Sequence, residues 1–435
     1  IDFVAYTDQW YQDNSKDDGG WSLERINLDE PCSNQDNWRA SLNAAGGTPS
    51  AVNSVNDNTP DTAGPVLAQV LVPLGTVTLV FNEPISTNSA IEMTINGEAF
   101  TPTNVVFNLD QTAFSFNYNP VSGSIYNFTI LSLLDCWGNE STNISGVFAG
   151  EEVPQTGDIV INEVLSNPKD GGSDFIELYN NSPRVIGLSN WQIANENDGQ
   201  IDDLENISEQ GLFLLPGEYI VLTEDGTDLP EFYPFTRTNR IWRMTNLPTY
   251  NNDDGTVVLI TPNGEYSDRF VYNVDLHFPL IDDLDGVSLE KIDPSRPSTD
   301  NTNWNSAAEN QGFATPGYQN SQAMAAIMGD ADIVIEPEIF SPDNDGYQDV
   351  LSIQYSNDAP GLAANIFIFD GNGRQVRHLT KNEYLGVNGS ISWNGITDDG
   401  QLAPIGIYVI YFEVFGANGE ISKIKKTCVL AHDLN

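Results

Sequence analysis

Hard oxygen donors at alternate positions before a glycine form the one constellation in this chain with metal logic: Asp343-Asn344-Asp345-Gly346-Tyr347-Gln348-Asp349. Such spacing can wrap a Ca2+ ion as the first half of an EF loop does. Position twelve of that loop would be Gln354, not the bidentate Glu, so the segment is no EF-hand. Two readings stand: calcium on Asp343, Asp345 and Asp349, or an Asx-turn closed by the same side chains. Calcium is the only cofactor that the residues suggest.

Catalytic arrangements are harder to find. Glu163 and Glu177 fall in neighbouring predicted strands and could form an acid/base pair, but a glycosidase pair must flank a cleft at a controlled separation. Nothing in the sequence specifies such a cleft, and strand-end carboxylates bonded to backbone or Arg are the expectation. The three histidines, His277, His378 and His432, are not spaced as a metal pair. No G-x-S-x-G elbow occurs, and Gly371-Asn372-Gly373 lacks the context of a phosphate loop, so it reads as a hairpin turn. The expectation is a protein without an active site.

The elements that would carry these residues are strands. Short runs rich in β-branched and aromatic residues alternate with Gly, Pro and Asn clusters throughout, including Ile159–Leu165, Phe175–Asn180, Val77–Phe81, Ala113–Tyr118 and Ile366–Phe369. Ile407–Phe415 is too apolar on both faces to be an exposed edge. With 435 residues the chain suits several domains rather than one sandwich. The fold class is all-β, as tandem immunoglobulin-like β-sandwich domains.

Composition narrows the partners. A net charge of −45 repels nucleic acid and anionic headgroups, which need a basic footprint, and favours divalent cations, basic partners, or no partner at all. No apolar run is long enough to span a bilayer, so any membrane association is peripheral. Three cysteines leave room for one bridge, which would place the protein outside the cytosol. Cys32 and Cys136, both in turn-like segments of adjacent domains, are the expected pair, with Cys428 free or facing lipid or a partner.

The chain also repeats itself. Gly20-Trp-Ser-Leu-Glu-Arg-Ile-Asn27 parallels Gly286-Val-Ser-Leu-Glu-Lys-Ile-Asp293. Asn37-Trp38 parallels Asn303-Trp304, and Thr48-Pro49 parallels Thr315-Pro316, with one extra residue in the second loop. Ile1–Tyr6 likewise resembles the strand Asp268–Tyr272. Trp21, Trp38, Trp191 and Trp304 lie in strand-like apolar context in these two regions and read as core rather than as a sugar platform.

Ile161-Asn162-Glu163, Asp174–Asn180, Gly286–Ile292 and Thr315-Pro316-Gly317 together resemble a lamin-tail domain over residues 157–322. By the repeat, residues 1–54 resemble the closing part of a first such domain, whose earlier strands would lie upstream of Ile1. Phe3, Val4, Trp21, Leu23, Ile26 and Trp38 would be its core side. Residues 55–150 are similar to a bacterial immunoglobulin-like domain, through Phe81-Asn82-Glu83-Pro84 and Asp135-Cys136-Trp137-Gly138-Asn139.

Residues 333–435 hold Phe340–Gly346, Trp393-Asn394-Gly395 and Pro404–Tyr408. They resemble the immunoglobulin-like domain of the flagellar hook-capping protein and the C-terminal sorting domains of Bacteroidetes type IX secretion, with Asn394 and Cys428 as departures. In that setting Asp61-Thr62-Ala63 resembles a three-residue O-glycosylation signal on Thr62.

The resemblances imply a non-enzymatic, extracellular cell-surface protein associated with the outer membrane. It would be exported by type IX secretion and act as a binding or spacer module, or as a surface subunit of the secretion or gliding machinery. Its partners would be outer-membrane secretion or surface proteins. The alternative from another class is the accessory region of a secreted hydrolase or nuclease whose catalytic domain lies upstream of Ile1.

Overall fold

In this computed structural model the described residues are 4, 6–13, 15–16, 19–31, 35–88, 90–197, 199–278, 281–323, 332–342, 348, 350–357, 361–416 and 419–431. Among them, helix is confined to the single turn Leu229–Phe232 and short 3-10 segments, and the rest of the regular structure is strand, as expected. The chain forms two compact units, Ile1–Glu152 with Gln210–Phe213, and Val153–Glu209 with Leu214–Asn435.

The first unit opens with a two-stranded ribbon, β1 (Leu23–Arg25) antiparallel to β2 (Trp38–Ala40), in register Leu23↔Ala40 and Arg25↔Trp38. The predicted alternation of core residues is reversed here. Trp21, Leu23, Ile26 and Trp38 are only half-buried, whereas Glu24, Asn27 and Asn37 are buried. Lys16 sits 4.9 Å over the Trp21 ring and Trp10 packs 6.4 Å from Trp38, so neighbouring side chains shield these apolar faces in part. Phe3 and most of the segment likened to Asp268–Tyr272 fall outside the described residues.

The remainder of the first unit is a sandwich. One sheet orders Leu67–Leu71, Thr76–Phe81, Ala113–Asn117 and Val106–Phe107; the other orders Glu140–Ala149, Ile125–Leu134, Glu92–Ile95 and Glu98–Phe100. Period-two alternation turns Val77, Leu79, Phe81, Phe114 and Phe116 inward from the first sheet, against Met93, Ile95, Phe128, Ile130 and Phe148 from the second.

The second unit holds two sandwiches. In the first, β3 (Ile159–Leu165) and β4 (Phe175–Asn180) form the centre of a six-stranded sheet. β5 (Tyr219–Thr223) and β6 (Ile241–Arg243) extend it beyond β4, while β7 (Leu289–Lys291) and β8 (Trp304–Ser306) extend it beyond β3. Every residue of β3 is buried, which is why its sequence lacks a polar face. A four-stranded sheet, ordered Gln200–Asn206, Gln192–Asn197, Asp254–Ile260 and Tyr266–Asn273, accompanies it. Trp191 is fully buried and Trp304 stacks on Phe270 at 3.5 Å, as core residues should.

The repeat seen in the sequence is a repeat of structure. β7 and β8 pair as Leu289↔Ser306 and Lys291↔Trp304, the same register as β1 and β2. Asn37 Oδ1 accepts from the Asn27 amide at 2.7 Å, and Asn303 Oδ1 accepts from the Asp293 amide at 2.9 Å.

The last sandwich pairs a three-stranded sheet, Asp332–Glu336, Leu351–Ser356 and Asn388–Trp393, with a five-stranded one. The larger sheet runs Ile339–Phe340, then β12 (Ile421–Leu430), β11 (Gly406–Gly416), β9 (Leu362–Asp370) and β10 (Gln375–Leu385). β11 is flanked on both sides, in line with its apolar sequence. β9 and β10 join through the expected tight turn: Asp370 Oδ1 accepts from the amides of Asn372 and Arg374, both at 2.9 Å, and Gly373 takes φ +79°.

Candidate functional site

The best-formed candidate site lies in the first unit, where three loops converge on an acidic cleft of about 370 Å³. Asp61 comes from the segment before the sandwich, Glu83 from the loop after Thr76–Phe81, and Asp135 from the end of Ile125–Leu134. Their carboxylate oxygens lie within 4.8 Å of one another. Asp135 is almost wholly buried, fixed by Asn139, whose amide and Nδ2 donate to its two oxygens at 2.7 Å each. Glu83 is half-buried. Desolvation first, then a hydrogen bond with Asp61 and the charges of Asp61 and Asp135, push its carboxyl up to about 7. Trp137 forms a wall and donates through Nε1 to Glu30 Oε2 at 2.8 Å.

An oxygen-only set of this kind suits a hard divalent cation, and without one it retains a proton near neutrality. In the sequence the Glu83 and Asp135 motifs read as fold signatures, and Asp61 completes the cluster only in three dimensions. Only the convergence of three loops reveals it.

Glu163 and Glu177 are not strand-end residues, and their carboxylates are held by backbone amides, Ser288 and Asn162 rather than by Arg. They face each other in the register of β3 and β4, and Glu290 of β7 pairs opposite Glu163 on its other side. All three are fully buried, so no substrate cleft reaches them. Backbone amides and hydroxyls satisfy them. Glu163 accepts from Ser288 Oγ at 2.5 Å and the Thr315 amide at 2.9 Å. Glu177 accepts from Asn162 Nδ2 at 2.7 Å and the Gly317 amide at 2.6 Å. Glu290 accepts from Thr315 Oγ1 at 2.8 Å, Ser321 Oγ at 2.7 Å and the Gln322 amide at 2.8 Å.

Burial, followed by the charge of Glu290, pushes Glu163 up to about 8; burial also raises Glu177 and Glu290. The third member of this carboxylate ladder, Glu290, is far from the other two in sequence and joins them only through strand pairing.

The first repeat preserves one rung. Glu24 accepts from Thr48 Oγ1 at 2.6 Å and from the Ser54 amide and Oγ at 2.6 and 2.7 Å, the counterparts of Thr315 and Ser321. Burial opposes its ionisation, but the bonds from Thr48, Ser54 and Ser41 prevail and hold it down to about 2.

The calcium candidates Asp343, Asp345 and Asp349 lie outside the described residues, as does His432. Burial lowers His277 to about 4, and its Nδ1 lies 2.9 Å from Ser306 Oγ; His378 stacks on Phe367 at 4.2 Å. Cys136 is disulfide-bonded, while Cys32 lies outside the described residues. Cys428 is free but buried in the core of the last sandwich, with its thiol pushed up to about 12 by burial, so it faces neither lipid nor a partner. Thr62 is exposed. On the outer side of the five-stranded sheet, Phe369, Val409, Tyr411, Lys423 and Lys425 line an open groove of about 810 Å³. Among the described residues, no helix is long and apolar enough to cross a membrane.

Comparison with known proteins matches two segments of the chain. Residues 152–273 match the Lamin Tail Domain model, which stops short of β7 and β8 although these strands complete the sheet. Residues 334–429 match the CHU_C Type IX secretion signal domain. No curated protein matches the chain.

Similar solved structures include a DUF4876 family protein from Bacteroides thetaiotaomicron, at 14% identity and TM-score 0.23, covering 48% of this chain and 84% of that one. Dimeric latent PorU from Porphyromonas gingivalis is similar at 14% identity and TM-score 0.20, over 92% of this chain and 36% of that one. CopC from Methylosinus trichosporium OB3b is similar at 15% identity and TM-score 0.16, over 24% and 97% respectively. By its sheets and the two family-model matches, the chain is an all-β protein that carries a lamin tail domain followed by a C-terminal CHU_C type IX secretion signal domain.

Proposed function

We propose that this is a non-enzymatic protein of the cell surface, exported by type IX secretion, whose C-terminal sandwich is the part that the export machinery recognises. The remaining β-sandwiches act as rigid modules that display a binding surface or hold it away from the membrane. The observation that carries this reading is the type IX secretion signal domain at residues 334–429. The fate of the buried carboxylates supports the non-enzymatic part, because Glu163, Glu177 and Glu290 are occupied by backbone amides and hydroxyls.

Within this reading the Trp137 Nε1 bond to Glu30, beside the acidic cleft, ties the ribbon to the sandwich of the first unit. The partners would be outer-membrane secretion or surface proteins, with the protein peripheral to the membrane.

The test is to express the epitope-tagged chain in a type IX-competent host and in an isogenic strain lacking the secretion pore. Protease accessibility on intact cells is then compared. Exposure at the surface in the first strain and retention inside the second is the expected result. Equal exposure in both strains would reject export by this route. Co-purification with export components after solubilisation would assign the chain to the machinery rather than to its cargo.

A further inference from the structure

Within the second unit, the lamin-tail sandwich and the C-terminal sandwich meet along a joint that β10 forms with the 3-10 turn Glu309–Gln311 and the segment Thr315–Gln322. Phe278 stacks on Tyr384 at 4.2 Å and Ala363 packs beside them, while Asn310 Nδ2 donates to the Tyr355 hydroxyl at 2.6 Å. The Val387 amide donates to Ser321 O at 2.9 Å, and Ser321 Oγ in turn donates to Glu290.

Amid these bonds stands an anomaly. The Tyr384 amide donates to Glu309 Oε2 at 3.3 Å, so the Glu309 carboxylate is drawn across the joint. The residue next to Tyr384 on the same strand is Glu383, a second, half-buried acid. Like charges brought together at a partly dry interface oppose its closure unless one of them takes a proton.

We propose that the joint between the lamin-tail and C-terminal sandwiches is a proton-operated latch, seated when Glu383 is neutral and loosened when Glu383 and Glu309 are both charged. The groups around Glu383 fit this role. β9 opposes it with Ala364, which brings no charge. Tyr355 of the strand Leu351–Ser356 and Tyr384 are both kept protonated by burial, so neither adds a charge beside Glu383. Lys381, on its own strand, is exposed to solvent. Desolvation first and Glu309 second push Glu383 up to about 7.

The sign follows from linkage. A carboxyl raised from its ordinary value of 4.5 to about 7 in the closed joint stabilises closure most below 4.5 and loses that contribution as pH rises to about 7.

The test is amide hydrogen exchange on the full chain between pH 5 and pH 8, normalised to intrinsic rates, read at Tyr384 and Val387. The amide of Ile410 in β11 serves as the control for the core of the C-terminal sandwich. Protection at the joint should fall about tenfold per pH unit toward pH 7 and level there, while Ile410 stays protected. Glu383→Gln should hold the joint protected across the whole range. Glu309→Gln, which leaves Glu383 in place, should make protection level off at a lower pH, because only desolvation then raises Glu383. A flat profile in the natural chain, a pH dependence that persists in Glu383→Gln, an unmoved levelling point in Glu309→Gln, or a parallel loss at Ile410 would each overturn the latch.

Discussion

Replacing Glu163 with Gln tests the buried carboxylate ladder directly. Directly opposed side chains in antiparallel strands sit about 5 Å apart, and two charges at that distance repel by about 3 kcal/mol at an effective dielectric constant of 20. Glu163 has such a neighbour on each side, Glu177 and Glu290, all without solvent. Burial first and Glu290 second raise Glu163 from 4.5 to about 8 in the folded chain. The folded state therefore keeps a proton that the unfolded chain has lost. Stability contributed by this group is complete below pH 4.5, falls by about 1.4 kcal/mol per pH unit through the window, and is gone above 8.

Glu163→Gln cannot ionise, yet it keeps an oxygen for Ser288 Oγ and the Thr315 amide. The variant should lose one proton's worth of slope and exceed the natural chain in stability at pH 8. Exchange of the slowest amides of β3 and β4, measured from pH 5 to 9 and normalised to intrinsic rates, reads the local free energy without assuming two-state unfolding of a multidomain chain. If the natural chain is flat from pH 5 to 8, or if the variant keeps the natural slope, the proton is not held on this ladder.

Two further outcomes follow from named contacts. Glu24, held down to about 2, contributes stability that is present above 4.5 and lost as pH falls toward 2; Glu24→Ala should leave Thr48 and Ser54 without their acceptor, cost about 1–3 kcal/mol, and raise exchange at the Ser54 amide. Trp393, buried between Phe340 and Tyr408 in the last sandwich, should cost about 3–5 kcal/mol when changed to Ala, visible as an earlier melting transition for the peptides of β11 and β12.

Some of this was legible in the residues and some was not. The turn at Asp370–Gly373 and the internal position of β11 followed from local chemistry, since an Asx side chain, a Gly at positive φ and a two-faced apolar strand each have few alternatives. The repeat of residues 20–49 in 286–316 extended to strand register and to the side-chain caps of Asn37 and Asn303.

The ladder was half visible. Glu163 meets Glu177 only after a register shift between Ile161 and Glu163 in the β3–β4 pair, and Glu290 joins them only through the pairing of β3 with β7. Period-two reasoning cannot see such a shift. The same limit hid the reversed burial in β1, where Glu24 points inward because Thr48 and Ser54 wait for it. The acidic cleft depends on three loops, and no single stretch announces it.

The segment Thr315–Gln322 belongs to two domains at once. Its amides and hydroxyls satisfy Glu163, Glu177 and Glu290, and the same few residues then donate and accept across to Leu385 and Val387. For domain shuffling this means that the boundary cannot be cut where the family match ends. A lamin-tail unit transplanted without these residues would carry three buried acids with orphaned oxygens, and a C-terminal domain transplanted without them would lose its seat. The inheritable piece is therefore the sandwich plus its trailing clasp. The first repeat keeps that combination as well, with Thr48 and Ser54 closing on Glu24 just before the next sandwich begins.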